Sequence, residues 1–497
     1  MKKYFLFYCF LGLVSLLPAQ TSFVLQIDSS KMCYPRDLLF TPSGNIVFCA
    51  MAWEQGSPYY SNYIYEVNNI GEIVNSWSEK NSTDYYFECT RIIEKDNGYF
   101  LFGFGDPFNA QSDKPFVFMK KFDLQLNEVS SFNYYLDNSL YKATHHVSRL
   151  VVADTVFKYY SSAYRNVADI NISPFSLTMS FNGELVDESH DLNAFPPVIL
   201  YDLIETQNTP LSIAFVMKVE QMKPITGFIY YYDKNLSLLS AIQIPDYFNS
   251  YFTSLRLNDS VFYLSGSYKE PVMFTNQQVG VLKMKTDGTL LNDYLFNPLA
   301  DSISFPAYYN SLDYAADGNL ILCSSYGIDY QFTPQDLTSF ICLYKLSSNL
   351  DLIWQRYVGG EANYEAYSMR VAPDSGIVIL GKFSKVPPQS YYKQEMIIIK
   401  TNKDGIVTTT GQQETEIKTT EAIIYPNPAG EQITVDFSRL YTSATLQLMD
   451  ISGKTVFKTQ LTSNRQTIDI SALPSGTYLY RISNQKGLEE TGKLVVE

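Results

Sequence analysis

Histidine, tryptophan and basic charge are what this sequence has least of: three histidines and three tryptophans stand beside 40 tyrosines in 497 residues. Histidine is the commonest metal ligand and the ordinary acid–base group near neutrality. His145, His146 and His190 have no cysteine near them, which leaves a zinc site without its spacing, and neither metal nor cofactor is expected. Adjacent residues of an extended chain point in opposite directions, so His145-His146 is no ligand pair and reads as two loop histidines. Cysteine is as scarce. With Cys9 inside the leader described below, Cys33, Cys49, Cys89, Cys323 and Cys342 remain, an odd and scattered set that makes no disulfide framework. Cys49 and Cys323 fall in apolar runs and read as small buried hydrophobes. Cys323 and Cys342 lie on what should be neighbouring strands and form the one pair expected to be bridgeable in an oxidising envelope.

Lys+Arg number 37 against 51 Asp+Glu, a formal charge of -14 that repels phosphate backbones and anionic lipid and excludes nucleic acid as partner. A 46% hydrophobic composition with ordinary Gly and Pro excludes disordered and collagen-like chains. No G-x-S-x-G, H-E-x-x-H or G-x-x-x-x-G-K occurs. Thr286-Asp287-Gly288 and Lys403-Asp404-Gly405 lack the further oxygen ligands of a calcium loop and suit hairpins.

At the N-terminus, Lys2 and Lys3 precede an uncharged apolar run from Tyr4 to Leu17. The run is shorter than the roughly 20 residues of a spanning helix and has the form of a secretory signal peptide, residues 1–19. No later run is long enough to span a membrane, so an exported mature chain with no membrane span is expected, secreted or at the outer cell surface after crossing the periplasm.

Two segment types then alternate. The first is strand, tight polar turn, apolar strand, as in DLLFTPSGNIVFCA from residue 37 and SMRVAPDSGIVILGKF from residue 368, with further copies starting at 91, 148, 202, 254 and 311. Between them lie strand–turn–strand segments such as YIYEVNNIGEIVNSWS and MIIIKTNKDGIVTTT. Seven copies of each, at a period of 52 to 57 residues, give units of four short strands, the size of a propeller blade. The expected fold is all-β: a seven-bladed β-propeller over 22–410, with SFVLQID (22–28) placed to supply the last blade's fourth strand. After a polar linker, 411–421, residues 422–497 have the alternation of a small Ig-like β-sandwich. This last segment holds seven basic and seven acidic residues, so with +2 in the leader the propeller and linker carry -16.

Two resemblances refine this reading. WQRYVGGEANYEAYSMRVAPDSGIVILGKFS (354–384), followed by MIIIKTNKDGIV, resembles the repeat of secreted propellers of Bacteroidetes-type bacteria. Residues 422–497 resemble the type A C-terminal sorting domain of the type IX secretion system. The landmarks are Tyr425-Pro426-Asn427-Pro428, Asp450-Ile451-Ser452-Gly453-Lys454, Leu473-Pro474-Ser475-Gly476-Thr477-Tyr478 and Lys493-Leu494-Val495-Val496, in family order. The resemblance implies recognition by the outer-membrane translocon and sorting machinery, with Pro426, Asn427, Pro428, Gly453, Lys454, Gly476, Tyr478 and Lys493 as the sorting signal.

In a propeller the first-to-second and third-to-fourth strand turns share one face, and here they are short. The other face receives longer, aromatic connections, and function concentrates on such loops. Trp53, Tyr59, Tyr60, Tyr308, Tyr309, Tyr364, Tyr391 and Tyr392, from blades one, six and seven, are the expected ligand contacts, with no catalytic residue assigned. An acidic aromatic rim suits a neutral glycan or a protein partner. The alternative is a glycan hydrolase or lyase, which two inward carboxylates about 5 to 10 Å apart at the aromatic mouth would favour.

Overall fold

In a computed structural model of the chain, residues 22–496 are described apart from 29–31, 54–59, 82–83, 109–112, 138, 154, 167–170, 192–197, 206–211, 219–225, 246, 270–276, 297–302, 329–338, 361, 386–393, 408–418, 421, 426, 438–443, 464 and 485–488. The expected leader, 1–19, and most of the expected linker lie outside them. Every regular element among the described residues is a β-strand.

Seven antiparallel sheets follow one another before residue 410, each running from an inner to an outer strand. Blade one is Met32–Phe40, Ile46–Trp53, Tyr60–Val67 and Ile73–Lys80, and blade two Tyr85–Lys95, Gly98–Pro107, Phe116–Asp123 and Glu128–Tyr135. Blades three, four and five begin at Ala143–Val152, Val198–Glu205 and Phe248–Arg256. Blade six has its inner strand broken into Ile303–Pro306 and Leu312–Tyr314, followed by Leu320–Ile328, Phe340–Leu346 and Leu352–Gly359. Blade seven is Ala362–Val371, Ile377–Lys385 and Glu395–Thr401, and its outer strand is Phe23–Ile27 from the other end of the chain, paired from Phe23 with Lys400 to Ile27 with Met396. The early segment thus fastens the ring as its spacing predicts. Each inner strand touches the next around the circle, and that of blade seven touches that of blade one.

Strand alternation puts one set of side chains toward the preceding blade and the other toward the following one. In Ile46–Trp53, Ile46, Phe48, Ala50 and Ala52 pack toward blade seven while Val47 and Cys49 pack toward blade two. Middle strands are therefore buried on both faces and read as continuous apolar runs, whereas the outer strand Ile73–Lys80 alternates exposed and half-buried residues.

The seventh-blade motif has a physical basis. Gly359 and Gly360 both have positive φ, and a Cβ on either would meet the ring of Tyr364 or Phe340 at under 3 Å. Trp354 lies against Gly405 of the Asp404-Gly405 turn, also at positive φ. Glycine is required where backbone must be left-handed and touched by an aromatic ring.

Inner strands share a second device. A register shift falls at Arg36, Thr90, Tyr201 and Tyr367 in blades one, two, four and seven. Such a bulge re-aims one side chain. Next to it in two blades, and on the inner strand of a third, an aspartate ties neighbouring blades together. Asp37 accepts from the backbone N–H of Leu38 and of Ile92, Asp202 from Leu203 and Ser254, and Asp313 from Tyr314 and Val371.

Two expectations are corrected here. Cys323 pairs with Leu343 and Cys342 with Ser324, so the two thiols point to opposite faces of blade six and cannot be bridged. His145 and His146 lie in the inner strand of blade three, across a register shift, and not in a loop.

The C-terminal segment forms two packed sheets of three and four strands, Ala422–Tyr425, Gln432–Phe437 and Arg465–Asp469 facing Thr455–Leu461, Ala444–Met449, Gly476–Ser483 and Glu489–Val496. It is docked. Thr419–Thr420, inside the stretch expected as linker, pairs with Val358 and Tyr357 on the outer edge of blade six. Ile423 is buried in the same core as Tyr326, Tyr344 and Tyr357 of the propeller. The physical reason is that an open sheet edge leaves unpaired backbone groups that a β-branched pair can satisfy.

Candidate functional site

The long-connection face gathers aromatic rings from four blades. Trp53, at the end of the second strand of blade one, lies 5.7 Å from Tyr60, which is 5.7 Å from Tyr86 of blade two and 6.3 Å from Tyr34. Tyr34 is 6.2 Å from Tyr367 of blade seven, and Tyr367 is 4.8 Å from Tyr308 and 6.0 Å from Tyr309 of blade six. These separations fall in the favourable range for offset and edge-to-face pairs. The result is one unbroken arc. Trp53, Tyr34, Tyr60, Tyr86, Tyr308 and Tyr309 are half-buried, with part of each ring surface toward solvent.

Cations lie against the arc. The Arg36 guanidinium sits 4.6 Å from the Tyr309 centroid and 5.6 Å from that of Tyr34, and the Lys382 ammonium lies 5.7 Å from Tyr34 and 5.6 Å from Tyr367. Each has a carboxylate: Arg36 pairs with Glu88, which also accepts from the Tyr86 hydroxyl at 2.8 Å, and Lys382 pairs with Glu365 at 3.1 Å. Burial pulls the Lys382 ammonium down, but the charge and hydrogen bond of Glu365 push it up, and the latter prevails. Burial drives the Tyr60 phenol up to about 12 and raises Tyr34, Tyr86 and Tyr367, so all four remain protonated donors.

The break in the inner strand of blade six has a purpose visible in its contacts. The Tyr309 N–H donates to the Tyr367 carbonyl at 2.8 Å, and the Tyr309 carbonyl accepts from Arg149 Nη2 at 3.0 Å. Arg149 belongs to blade three and is itself paired with Asp202 of blade four. The backbone at Tyr309 is therefore tied to blade seven and, through Arg149, to blades three and four.

One mouth carboxyl is exceptional. Asp106, at the end of the second strand of blade two, accepts from the Thr144 N–H and Oγ1, each at 2.9 Å. Burial, outweighing those bonds and helped by the Glu88 charge, pushes its pKa up to about 7. Among the described residues, no three His, Cys, Asp or Glu converge as a metal would require.

The expected contacts divide as follows. Trp53, Tyr60, Tyr308 and Tyr309 stand in the arc. Tyr364 does not: it is fully buried, stacked on Phe383 in the core between blades six and seven. Tyr59, Tyr391 and Tyr392 lie outside the described residues. Tyr34, Arg36, Lys382 and Glu88 are absent from the sequence reading, because each sits within a strand and joins the arc only through neighbouring blades.

The sorting landmarks are built into the sandwich. Asn427 clamps the last strand, donating from Nδ2 to the Lys493 carbonyl and accepting from the Val495 N–H, both at 2.8 Å. Asp450 Oδ1 accepts from Ser452 N–H and Oγ and from Lys454 N–H, shaping the turn at Gly453, and hydrogen bonding to Ser452 holds its carboxyl below the usual range. Tyr478 is buried and donates to the Pro474 carbonyl at 2.6 Å. Lys454, Gly476 and Lys493 are exposed, while Pro426 lies outside the described residues.

Fold and tail define a β-propeller protein with a C-terminal sorting module. Residues 423–497 match the family described as the secretion system C-terminal sorting domain, so the chain carries the export tail of the type IX system. No curated protein matches the chain in sequence. Among solved structures it is similar to Drosophila Semaphorin 2a (8% identity, 96% of this chain and 97% of that one, TM-score 0.48). It is also similar to the WD40 domain of SCAP from fission yeast (10% identity, 77% and 98%, TM-score 0.36). A neuraminidase-like protein of A/little yellow-shouldered bat/Guatemala is a further neighbour (11% identity, 66% and 95%, TM-score 0.35). The propeller description here rests on the sheets and their pairing.

Proposed function

We propose that this protein is a secreted or surface-held binding propeller, delivered by its sorting domain and taking a glycan or protein ligand on the aromatic face. The observation that carries the reading is the arc from Trp53 to Tyr308. Half-exposed rings packed ring against ring give rigid, amphipathic contact area, and the cations behind them are already neutralised by Glu88 and Glu365, which favours an uncharged ligand surface. The test is a glycan and surface-protein array probed with the exported protein and with a Trp53→Ala, Tyr60→Ala, Tyr308→Ala variant. One stacked ring contributes on the order of 1 kcal/mol beyond area burial, so the triple variant should bind at least tenfold more weakly while melting with the parent. Equal binding by both removes the arc from the ligand site.

Asp106 supports the second reading, a glycan hydrolase or lyase. A carboxyl held protonated near neutrality at an aromatic mouth has the form of a general acid. Turnover of a bound glycan that disappears in Asp106→Asn would establish it.

A further inference from the structure

Five cysteines are described, all buried. They are not distributed alike. Cys33 packs in the core between blades seven and one, Cys323 in that between six and seven, and Cys342 in that between five and six. Cys49 and Cys89 alone share a core, the one between blades one and two. Cys49 lies on the second strand of blade one, on the face turned to blade two, and Cys89 on the inner strand of blade two, turned back toward it.

The local geometry holds them side by side. Asn62 of blade one accepts from the Cys89 N–H at 2.8 Å and donates to the Phe87 carbonyl at 3.3 Å, fixing the backbone of the second blade against the first. The Cys89 thiol donates to the Ala50 carbonyl at 3.3 Å, one residue beyond Cys49 in the chain. The Cys49 thiol is pushed well up by burial and then by Cys89 itself, which stands within hydrogen-bonding reach of it.

We infer that Cys49 and Cys89 form a disulfide linking blades one and two in the exported protein. Export takes the chain out of the reducing cytosol and into the oxidising envelope, where disulfides persist. In the reaction the two S–H bonds are lost and one S–S bond forms. The two electrons and the two protons pass to an incoming disulfide oxidant, whose S–S bond breaks and which leaves as two thiols. Thiolate is the attacking species, and in the closed ring both sulfurs are sealed from solvent while burial pushes the Cys49 thiol well up. The bond therefore forms while the blades are coming together, and once formed it is shielded from reductant. It closes the loop from 49 to 89 and restricts the unfolded chain.

The test uses the full-length protein recovered from the cell exterior or the envelope. It is denatured in acid, alkylated without reductant, digested and mapped by mass spectrometry. The expected result is alkylation at Cys33, Cys323 and Cys342 only, with a Cys49–Cys89 linked peptide that vanishes on reduction. Unreduced protein should also melt several degrees above reduced protein, and a Cys49→Ala, Cys89→Ala double variant should abolish that difference while Cys323→Ala preserves it. Alkylation of all five thiols, or a linked peptide containing Cys33, Cys323 or Cys342, overturns the assignment. Mapping of the wild type decides the matter even if a variant fails to fold.

Discussion

Replacing Glu88 by glutamine removes one charge from behind the aromatic arc and almost nothing else. Arg36 and Glu88 are 4% and 2% exposed, Arg36 Nε has no hydrogen-bond partner, and Glu88 also receives the Tyr86 hydroxyl. Glutamine keeps the shape and an acceptor for Tyr86 but leaves the guanidinium buried without its counter-charge. Breaking a buried ion pair on one side typically costs about 3–5 kcal/mol. The ring faces of Tyr34 and Tyr309 lie against the cation in parent and variant alike and cancel in the comparison. The expected loss is thus about 3–5 kcal/mol. An Arg36→Met, Glu88→Leu double variant, which removes both charges, should lie within about 1 kcal/mol of the parent because the desolvation cost disappears with the attraction. Urea is the right denaturant, since guanidinium screens the pair under test, and fluorescence gives the signal. An independent readout follows from the neighbouring acid: the Glu88 charge helps to raise Asp106, so Glu88→Gln should bring the Asp106 titration below about 7. Stability of Glu88→Gln within about 0.5 kcal/mol of the parent, or a double variant as unstable as the single, would refute the mutual dependence of these two buried charges.

The Asp106 carboxyl, at about 7 in the fold against an ordinary 3.8, binds more protons in the native than in the unfolded state between those values. Its contribution to stability therefore falls as pH rises through that window, and subtracting the curve of Asp106→Asn from that of the parent should give a negative slope there; a flat difference contradicts the shift. Asp313→Ala strips acceptors from the Tyr314 and Val371 N–H groups and should cost about 1–3 kcal/mol, with faster hydrogen exchange at Val371 than at strand amides of blade three; unchanged exchange there dissolves the inter-blade clasp. Deleting 422–497 should trap the propeller in the envelope, and because Ile423 covers Tyr326 and Tyr357, the truncated protein should bind an apolar dye that the full chain excludes. Undiminished secretion of that truncation contradicts the sorting role.

Much of this architecture is written locally. Turn residues such as Pro42-Ser43-Gly44-Asn45 and Asp404-Gly405 bound short β-branched and aromatic runs, and their sevenfold recurrence yields strands, blades and the closing role of Phe23–Ile27. The sorting module is equally legible, since Asn427, Gly453 and Tyr478 do their work within the segment that contains them.

The sorting of tyrosines was not legible. Alternation along a strand distinguishes core from solvent only where one face is wet, and in a closed propeller both faces of a middle strand meet a neighbouring blade. Tyr364 and Tyr60 consequently look alike in sequence, yet one is sealed between blades and the other lies in the arc. Nor could spacing pair Arg36 with Glu88, Asp37 with Ile92, Cys49 with Cys89, or Arg149 with Tyr309, whose partners stand 160 positions apart. The sequence alone determined the strands, their count and the export tail, because those depend on residues close along the chain. The tertiary structure decided the aromatic arc, the clasps, the shared thiol core and the docking of the tail, because ring closure alone brings one blade's residues against the next.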